Sequence, residues 1–91
     1  MPALFLLLWD FIMTNEEALE LIKKSAEAVV PGAAEDIKAT TDLKEDDVLD
    51  SLDLMNFLFE LETEIGGKIA SIDESYDDFR VSKLIELLTA T

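Results

Sequence analysis

The segment SLDLMNFLFELETEI at residues 51–65 decides the fold class, because it has the pattern of an uninterrupted amphipathic helix. It contains neither Gly nor Pro, and the pair Gly66 and Gly67 follows it as a typical helix stop. Apolar residues recur along it at the three- and four-residue spacing of one broad helix face: Leu54, Phe57, Leu58, Leu61 and Ile65. The segment therefore predicts a helix that packs on other helices.

A further helix is predicted on each side of this segment. The stretch TNEE at residues 14–17 fits a capping box, in which the Thr14 hydroxyl and the Glu17 carboxylate each bind a backbone amide. The first helix then carries apolar residues on one face and ends at Pro31 and Gly32. Those apolar residues are Ala18, Ile22, Ala26 and Val29. The last helix is predicted over residues 81–88, with core residues Leu84, Ile85, Leu87 and Leu88.

A long connection, residues 33–50, separates the first two helices, and connections of this length in compact domains often carry function. Its expected inward anchors are Ile37, Leu43, Val48 and Leu49. Residues 75–79 are predicted to form a short helical turn. The predicted fold class is all-α: a small four-helix bundle with three main helices, a short third helix and a long loop between helices one and two.

The composition excludes several classes of function. The 91 residues suit one domain, and 21 Asp and Glu against 7 Lys and Arg give a net charge of −14. This charge argues against nucleic acid and against anionic membrane surfaces as partners. The chain has no His and no Cys, which excludes disulfides, Cys/His zinc sites, Cys nucleophiles and Ser-His-Asp triads. A soluble acidic binding or carrier domain is therefore favoured over a self-sufficient enzyme.

The first 12 residues, MPALFLLLWDFI, differ from the rest because 10 of them are apolar. A bilayer-spanning helix needs about 20 residues, so stable membrane insertion is not expected. The basic region and cleavage site of a signal peptide are also missing. Two interpretations stay open: a tail ahead of a domain that begins at Met13, or an apolar segment that packs on the domain or on a second copy. The domain is assigned to residues 13–91, after this N-terminal extension at residues 1–12.

The motif formed by Asp50, Ser51 and Leu52 ends the long loop and opens the acidic helix. With this motif in this setting, the chain resembles the acyl carrier proteins, which bind a 4′-phosphopantetheine arm covalently on the Ser of an Asp-Ser-Leu motif. The resemblance extends over about residues 13–88. It also includes the chain length, the acidity, the long first loop and the last helix led by Val81. It implies the four-helix bundle of the acyl-carrier type.

The resemblance assigns a role to each residue of the motif. Ser51 would carry the arm, at a helix start where unpaired amides and the helix dipole favour a phosphate. Asp50 would present Mg²⁺ or orient the loop, Leu52 would be buried as the anchor of the helix start, and Met55 would lie beside the arm where partners touch. The alternatives are that Ser51 is only an N-cap, Asp50 only an acid favoured by the dipole, and Met55 ordinary core.

The implied function is to hold acyl intermediates as thioesters on the arm and to deliver them to enzymes of fatty-acid, polyketide or related lipid biosynthesis. The protein would not be an enzyme but the substrate of a phosphopantetheinyl transferase, which moves the arm from coenzyme A. Its other partners would be acyl-loading and acyl-transfer enzymes with basic patches. It is expected to be a cytoplasmic monomer, and no intrinsic metal site is expected.

The acidic face of the second helix is predicted to dock on those basic patches, since complementary charge speeds encounter and sets orientation. The expected docking residues are Met55 and the acids Asp50, Asp53, Glu60, Glu62 and Glu64. Asp53 and Glu62 stand foremost because they match docking acids of the family. The alternative is that these acids are only a solvated surface. The expected apolar lining of a cargo shelter is Ile22, Phe57, Leu61, Ile69 and Leu84.

Departures from the family pattern predict a specialised carrier with its own partners. Val48 stands where the family usually has Gly, Asn56 replaces a Glu, and Thr63 replaces an acid. Phe57 and Phe59 are bulkier than the usual aliphatic residues, and Glu60 replaces a small residue.

Alternative functions also stay open. A peptidyl or D-alanyl carrier would look similar, and a helical adaptor would use its Leu-rich tail. A Ca²⁺ loop through Asp73, Ser75 and Asp77 lacks the required Gly at Asp78 and the required Glu at Leu84.

Overall fold

The computed structural model describes residues 13–67 and 76–89. These residues form three α-helices and one short 3-10 helix: α1 (Asn15–Val29), the 3-10 helix (Ala33–Asp36), α2 (Ser51–Ile65) and α3 (Val81–Thr89). Within the described ranges there is no strand, only an isolated antiparallel bridge between Asp42 and Arg80. The prediction of a small all-helical domain is confirmed for this part of the chain. The interpretations of residues 1–12, Ile69, Asp73 and Ser75 fall outside the described residues.

The start of α1 has the predicted capping box. The Thr14 hydroxyl accepts a hydrogen bond from the Glu17 amide at 3.1 Å, and the Glu17 carboxylate accepts one from the Thr14 amide at 2.9 Å. At the other end, Gly32 adopts a left-handed conformation with φ of 93°, which favours glycine. The Glu27 carboxylate accepts hydrogen bonds from the amides of Gly32 and Ala34, and these bonds lower the pKa of Glu27. These two hydrogen bonds hold the turn at Gly32 against the end of α1.

Helix α1 is the central element, because both α2 and α3 pack on it, as does the 3-10 helix. The small and medium side chains of Ala18, Ile22 and Ala26 are fully buried on its inner face, as predicted. From α2 and α3 come the larger core residues, namely Leu54, Phe57, Leu61, Val81, Leu84 and Leu88. The core therefore forms around α1, with α2 and α3 covering it.

The long connection is anchored on the segment that precedes α3. The Leu43 amide donates to the Phe79 carbonyl at 2.9 Å, and the Val81 amide donates to the Thr41 carbonyl at 2.8 Å. Ile37, Leu43 and Leu49 are buried and Val48 is half-buried, which confirms the predicted inward anchors. The long connection and the start of α3 are thus held together by backbone pairing.

The short helical turn predicted at residues 75–79 is wrong for its described part. Residues 76–79 are not helical. The physical reason is the pairing with the long connection: the antiparallel bridge between Asp42 and Arg80, beside the hydrogen bond from the Leu43 amide to the Phe79 carbonyl, holds the end of this segment along the loop in place of a helical turn. Apolar packing adds to this, since Tyr76 and Phe79 meet edge to face with ring centroids 5.6 Å apart.

Tyr76 gives a spectroscopic test of this packing. Burial, chiefly, and the nearby Asp78 carboxylate raise the pKa of the Tyr76 phenol to about 12. It is the one Tyr of the chain, so tyrosinate absorbance reports it alone. We expect its titration midpoint near pH 12 in the folded protein and near pH 10 in urea.

The same pKa shift makes a prediction about stability. The folded state binds the phenolic proton more tightly than the unfolded state. The contribution of this pKa shift to the free energy of unfolding is therefore complete below about pH 10 and is lost between pH 10 and 12. We expect Tyr76→Phe to remove this part of the alkaline loss of stability. An ordinary midpoint in the folded protein would show that the ring is solvated.

Candidate functional site

The loop that leads to Ser51 is fixed by its own polar side chains. The Asp42 carboxylate accepts from the amides of Lys44 and Glu45, each at 3.0 Å, and the Asp46 carboxylate accepts from the Asp42 amide at 3.0 Å. Asp47 has φ of 57°, in the left-handed region that Asp tolerates better than most residues. Val48 does not adopt a positive φ. The chain therefore needs no Gly at position 48, because the left-handed residue of this loop is Asp47.

Asp50, and not Ser51, caps the N-terminus of α2. Its carboxylate accepts from the Asp53 amide at 2.9 Å, and its carbonyl accepts from the Leu54 amide at 2.8 Å. The alternative interpretation of Ser51 as the N-cap is therefore wrong. The reason is that α2 begins with Ser51 as its first helical residue, one position after the cap.

Ser51 is exposed at the first position of α2. Its hydroxyl forms no hydrogen bond with the described residues, since the capping bond is made by Asp50. Asp50 accepts from the Asp53 and Leu54 amides, so the Ser51 and Leu52 amides are those of the first turn that have no partner inside the helix, and they lie at the positive end of its dipole. The site therefore presents an accessible hydroxyl next to groups that stabilise a phosphate.

Leu52 corrects one prediction, because its side chain is 68% exposed and not buried. The core face of α2 is set by Leu54, Phe57 and Leu61. Leu52 precedes Leu54 by two residues, about 200° around the helix, and so points away from that face. It cannot anchor the helix start on the core.

Three exposed apolar side chains form a row along α2. Leu52, Met55 and Phe59 are 68%, 64% and 71% exposed, and their spacing of three and four residues places them on one helix face. The alternative that Met55 is ordinary core is therefore wrong. In the sequence Phe59 stands out only as a residue bulkier than the family's usual aliphatic one, although its register with Leu52 and Met55 indicates the same exposed face. We refer to Leu52, Met55 and Phe59 as the apolar row.

The expected docking acids lie around this row, but they differ in their surroundings. Asp53 and Glu60 are partly exposed and line a groove between α2 and the last turn of α1. Glu64 lies farther along α2, where its carboxylate pairs with the Lys24 ammonium of α1 at 3.1 Å. Glu62 is also partly exposed, and its carbonyl accepts from the Gly66 amide at 3.0 Å. The structure thus places Asp53 and Glu60 in one groove with Phe59, and Glu64 against α1.

The hydrogen bond with which Asp50 caps α2 can be tested through the stability of the protein. We expect Asp50→Ala to lower the free energy of unfolding by about 1 kcal/mol, because an orphan amide loses its acceptor. Asp50→Asn keeps a hydrogen-bond acceptor at the cap, so its free energy of unfolding should lie within a few tenths of a kcal/mol of the wild-type value. Urea unfolding followed by circular dichroism measures both. Equal losses in the two variants would mean that the charge, and not the hydrogen bond, supports the helix.

Comparisons with protein-family models, with curated proteins and with solved structures each gave no match to this chain. Among residues 13–67 and 76–89, no three carboxylates come together in a way that could hold a metal ion. None of the helices in these two ranges has the length and apolarity needed to cross a membrane.

Proposed function

We propose that the protein is an acyl carrier protein whose Ser51 bears a covalent 4′-phosphopantetheine arm. The arm would come from coenzyme A through a phosphopantetheinyl transferase with Mg²⁺. Its thiol would hold acyl groups as thioesters and present them to enzymes of fatty-acid, polyketide or related lipid biosynthesis in the cytoplasm. The protein itself performs no turnover in this proposal.

The main support for the proposal comes from the different roles of the adjacent residues Asp50 and Ser51 at the start of α2. Asp50 satisfies the cap of α2, and this leaves the Ser51 hydroxyl exposed and without a structural task. A Ser used only for stability would be expected to make the capping bond itself. Asp50 already accepts from the Asp53 and Leu54 amides, so the Ser51 and Leu52 amides are the ones that would stabilise the phosphodiester on the Ser51 oxygen.

The surface around Ser51 supports docking on partner enzymes. The apolar row starts directly after Ser51, and an exposed apolar row beside charged residues is typical of an interaction surface. The acids beside it give complementarity to basic patches, with contacts that weaken as salt is added. A carrier that visits several enzymes needs contacts of this weak kind.

The finer features of the family remain part of the proposal. The four-helix count of the carrier bundle stays a prediction, because residues 68–75 are not among those described, whereas the short helix expected at residues 75–79 is wrong for its described part. The monomeric state and the domain limits at residues 13–91 stay predictions too. A peptidyl or D-alanyl carrier would use the same Ser51 chemistry. A helical adaptor is the second candidate, because the exposed apolar row alone would serve it equally well.

Loading the protein in vitro tests the proposal. The full chain is incubated with coenzyme A, Mg²⁺ and a transferase of broad specificity, and its intact mass is measured. A carrier gains the mass of one phosphopantetheine arm on the peptide that contains Ser51, whereas an adaptor gains none. Failure to load with several transferases, while a known carrier loads in parallel, would contradict the proposal.

A further inference from the structure

The inner face of α1 contains one polar side chain among its buried residues. Ser25 has no exposed surface, and its hydroxyl is buried without a hydrogen-bond partner in the described part of the chain. It follows the fully buried Ala18 by seven residues, so the two side chains point in directions about 20° apart, toward the core. A buried hydroxyl without a hydrogen bond destabilises the folded state, because it has lost its bonds to water and gains none in return. Packing alone therefore gives no reason for a Ser at this position.

Other hydroxyls in the same fold do have partners. The hydroxyls of Thr63 and Thr89 each donate to the carbonyl oxygen four residues earlier in their helix, at 2.9 and 2.8 Å. Thr41, the other buried polar residue of the described ranges, accepts from a backbone amide at 2.9 Å and donates to a backbone carbonyl at 3.3 Å. The Tyr76 hydroxyl also lacks a partner, but that residue is only half-buried. Among the residues that the structure describes, Ser25 is thus the one fully buried side chain with an unused hydroxyl.

The helices that pack on α1 bring only apolar side chains into the core. Both α2 and α3 contact α1, and their buried residues are all aliphatic or aromatic. They are Leu54, Phe57, Leu61, Val81, Leu84 and Leu88. None of these side chains has an oxygen or nitrogen atom that could accept from the Ser25 hydroxyl. The missing acceptor is therefore most readily supplied by a molecule that enters the core.

Ser25 lies in the half of the bundle that contains Ser51. Val29 and Asp53 line one groove, so the last turn of α1 lies beside the first turn of α2. Ser25 precedes Val29 by one helical turn, about 6 Å along the axis of α1, and Ser51 precedes Asp53 by about 3 Å along the axis of α2. An acyl chain that is tethered to Ser51 and enters the core would therefore reach the level of Ser25 before it reaches the far end of α1.

We propose that the Ser25 hydroxyl donates a hydrogen bond to an oxygen atom on the acyl chain of the cargo, and that the carrier therefore favours chains with a keto or hydroxyl group. The inference rests on the proposed carrier function, because the arm on Ser51 brings the cargo to the core. A saturated chain leaves the hydroxyl unpaired, whereas a chain with an oxygen at the level of Ser25 supplies the acceptor. A buried polar group discriminates in this way against a ligand that lacks its partner. The cargo class is thus oxygenated acyl chains rather than fully reduced ones.

The unloaded full chain tests whether the Ser25 hydroxyl is unpaired. We expect Ser25→Ala to leave the melting temperature unchanged or to raise it, because Ala favours the helix and the substitution removes a buried group without a partner. Loss of one ordinary hydrogen bond would instead lower the melting temperature of a domain of this size by about 4–8 °C. A fall of this size in the unloaded variant would overturn the proposal, since the hydroxyl would then have a partner within the protein.

Loaded forms test the preference for oxygenated cargo. A transferase of broad specificity loads the full chain from octanoyl-coenzyme A or from its 3-oxo, 5-oxo and 7-oxo derivatives, and the intact mass shows that each sample is loaded. We expect Ser25→Ala to lower the melting temperature of at least one oxo form by about 4–8 °C, while the octanoyl form is unchanged or more stable. Ser82→Ala removes an exposed hydroxyl from α3 and should leave the melting temperature of every form unchanged.

Failure of this inference and failure of the carrier function give different results. A chain that gains no arm from any of the four coenzyme A derivatives contradicts both. A chain that loads with all of them, but whose octanoyl and oxo forms respond equally to Ser25→Ala, is still a carrier and has no site for oxygenated cargo at Ser25.

Discussion

Replacing Ser51 with alanine is expected to abolish attachment of phosphopantetheine completely. The variant lacks the only oxygen that the proposal uses for the phosphodiester, so its intact mass should not change after incubation with coenzyme A and the transferase. The fold should persist, because Ser51 is exposed and the cap of α2 is made by Asp50. Surface substitutions of this kind usually change the free energy of unfolding by less than about 0.5 kcal/mol.

Ser82 provides the matched control for this experiment. It is also an exposed Ser in the first turn of a helix, at the second position of α3, but it lacks the Asp-Ser-Leu context. Ser82→Ala should load like the wild type, while Ser51→Ala should not load at all. A circular dichroism spectrum shared by both variants shows that the loss is chemical. Attachment to the Ser51→Ala variant would refute the assignment of the site.

A large loss of stability is also expected when the core residue Phe57 is replaced. Phe57 is fully buried on α2, and Phe57→Ala is expected to lower the free energy of unfolding by about 3–5 kcal/mol, through lost burial and the cavity that remains. Native proteins have a total stability of only about 5–15 kcal/mol, so this loss takes a large share of it and should shift the urea midpoint clearly to lower concentration. Phe57→Leu leaves a smaller cavity and keeps the measurement possible if the alanine variant does not fold.

Phe59 is the matched control on the same helix. It is the same residue type two positions later, but its side chain is 71% exposed. Phe59→Ala should change the free energy of unfolding by less than about 0.5 kcal/mol. Urea unfolding of the two alanine variants side by side measures the difference. Similar losses in both would mean that Phe59 is covered in the protein, and the apolar row would then not be a docking surface.

Local patterns predicted much of the fold. The capping box at Thr14 and the helix stop at Gly66 occur as expected, because each depends on neighbours within a few residues. Of the core residues predicted on the last helix, Leu84 and Leu88 are buried and Ile85 is half-buried, whereas Leu87 does not belong to the core cluster. The burial of Leu43 and Leu49 was also predicted from their apolar character. These features need no knowledge of how distant segments meet.

The errors come from contacts between distant segments and from helix register. The local sequence of residues 76–79 favours a helical turn, but the segment instead pairs with the distant long connection, where the Leu43 amide donates to the Phe79 carbonyl. The burial of Leu52 was inferred from the family resemblance, whereas the register of α2 turns this residue to solvent. The groove beside Phe59 was not predicted, because it requires the last turn of α1 to meet α2. The chemistry of Ser51 remains a prediction until loading is measured.

The packing of both outer helices on α1 has a mechanical consequence. Among the described residues, α2 and α3 each contact α1 more than they contact one another, so few described contacts oppose the separation of α2 from α3. A flexible ligand that entered between α2 and α3 would leave the contacts of both helices with α1 in place. Separation of α2 from α3 would therefore cost fewer of the described core contacts than separation of either helix from α1.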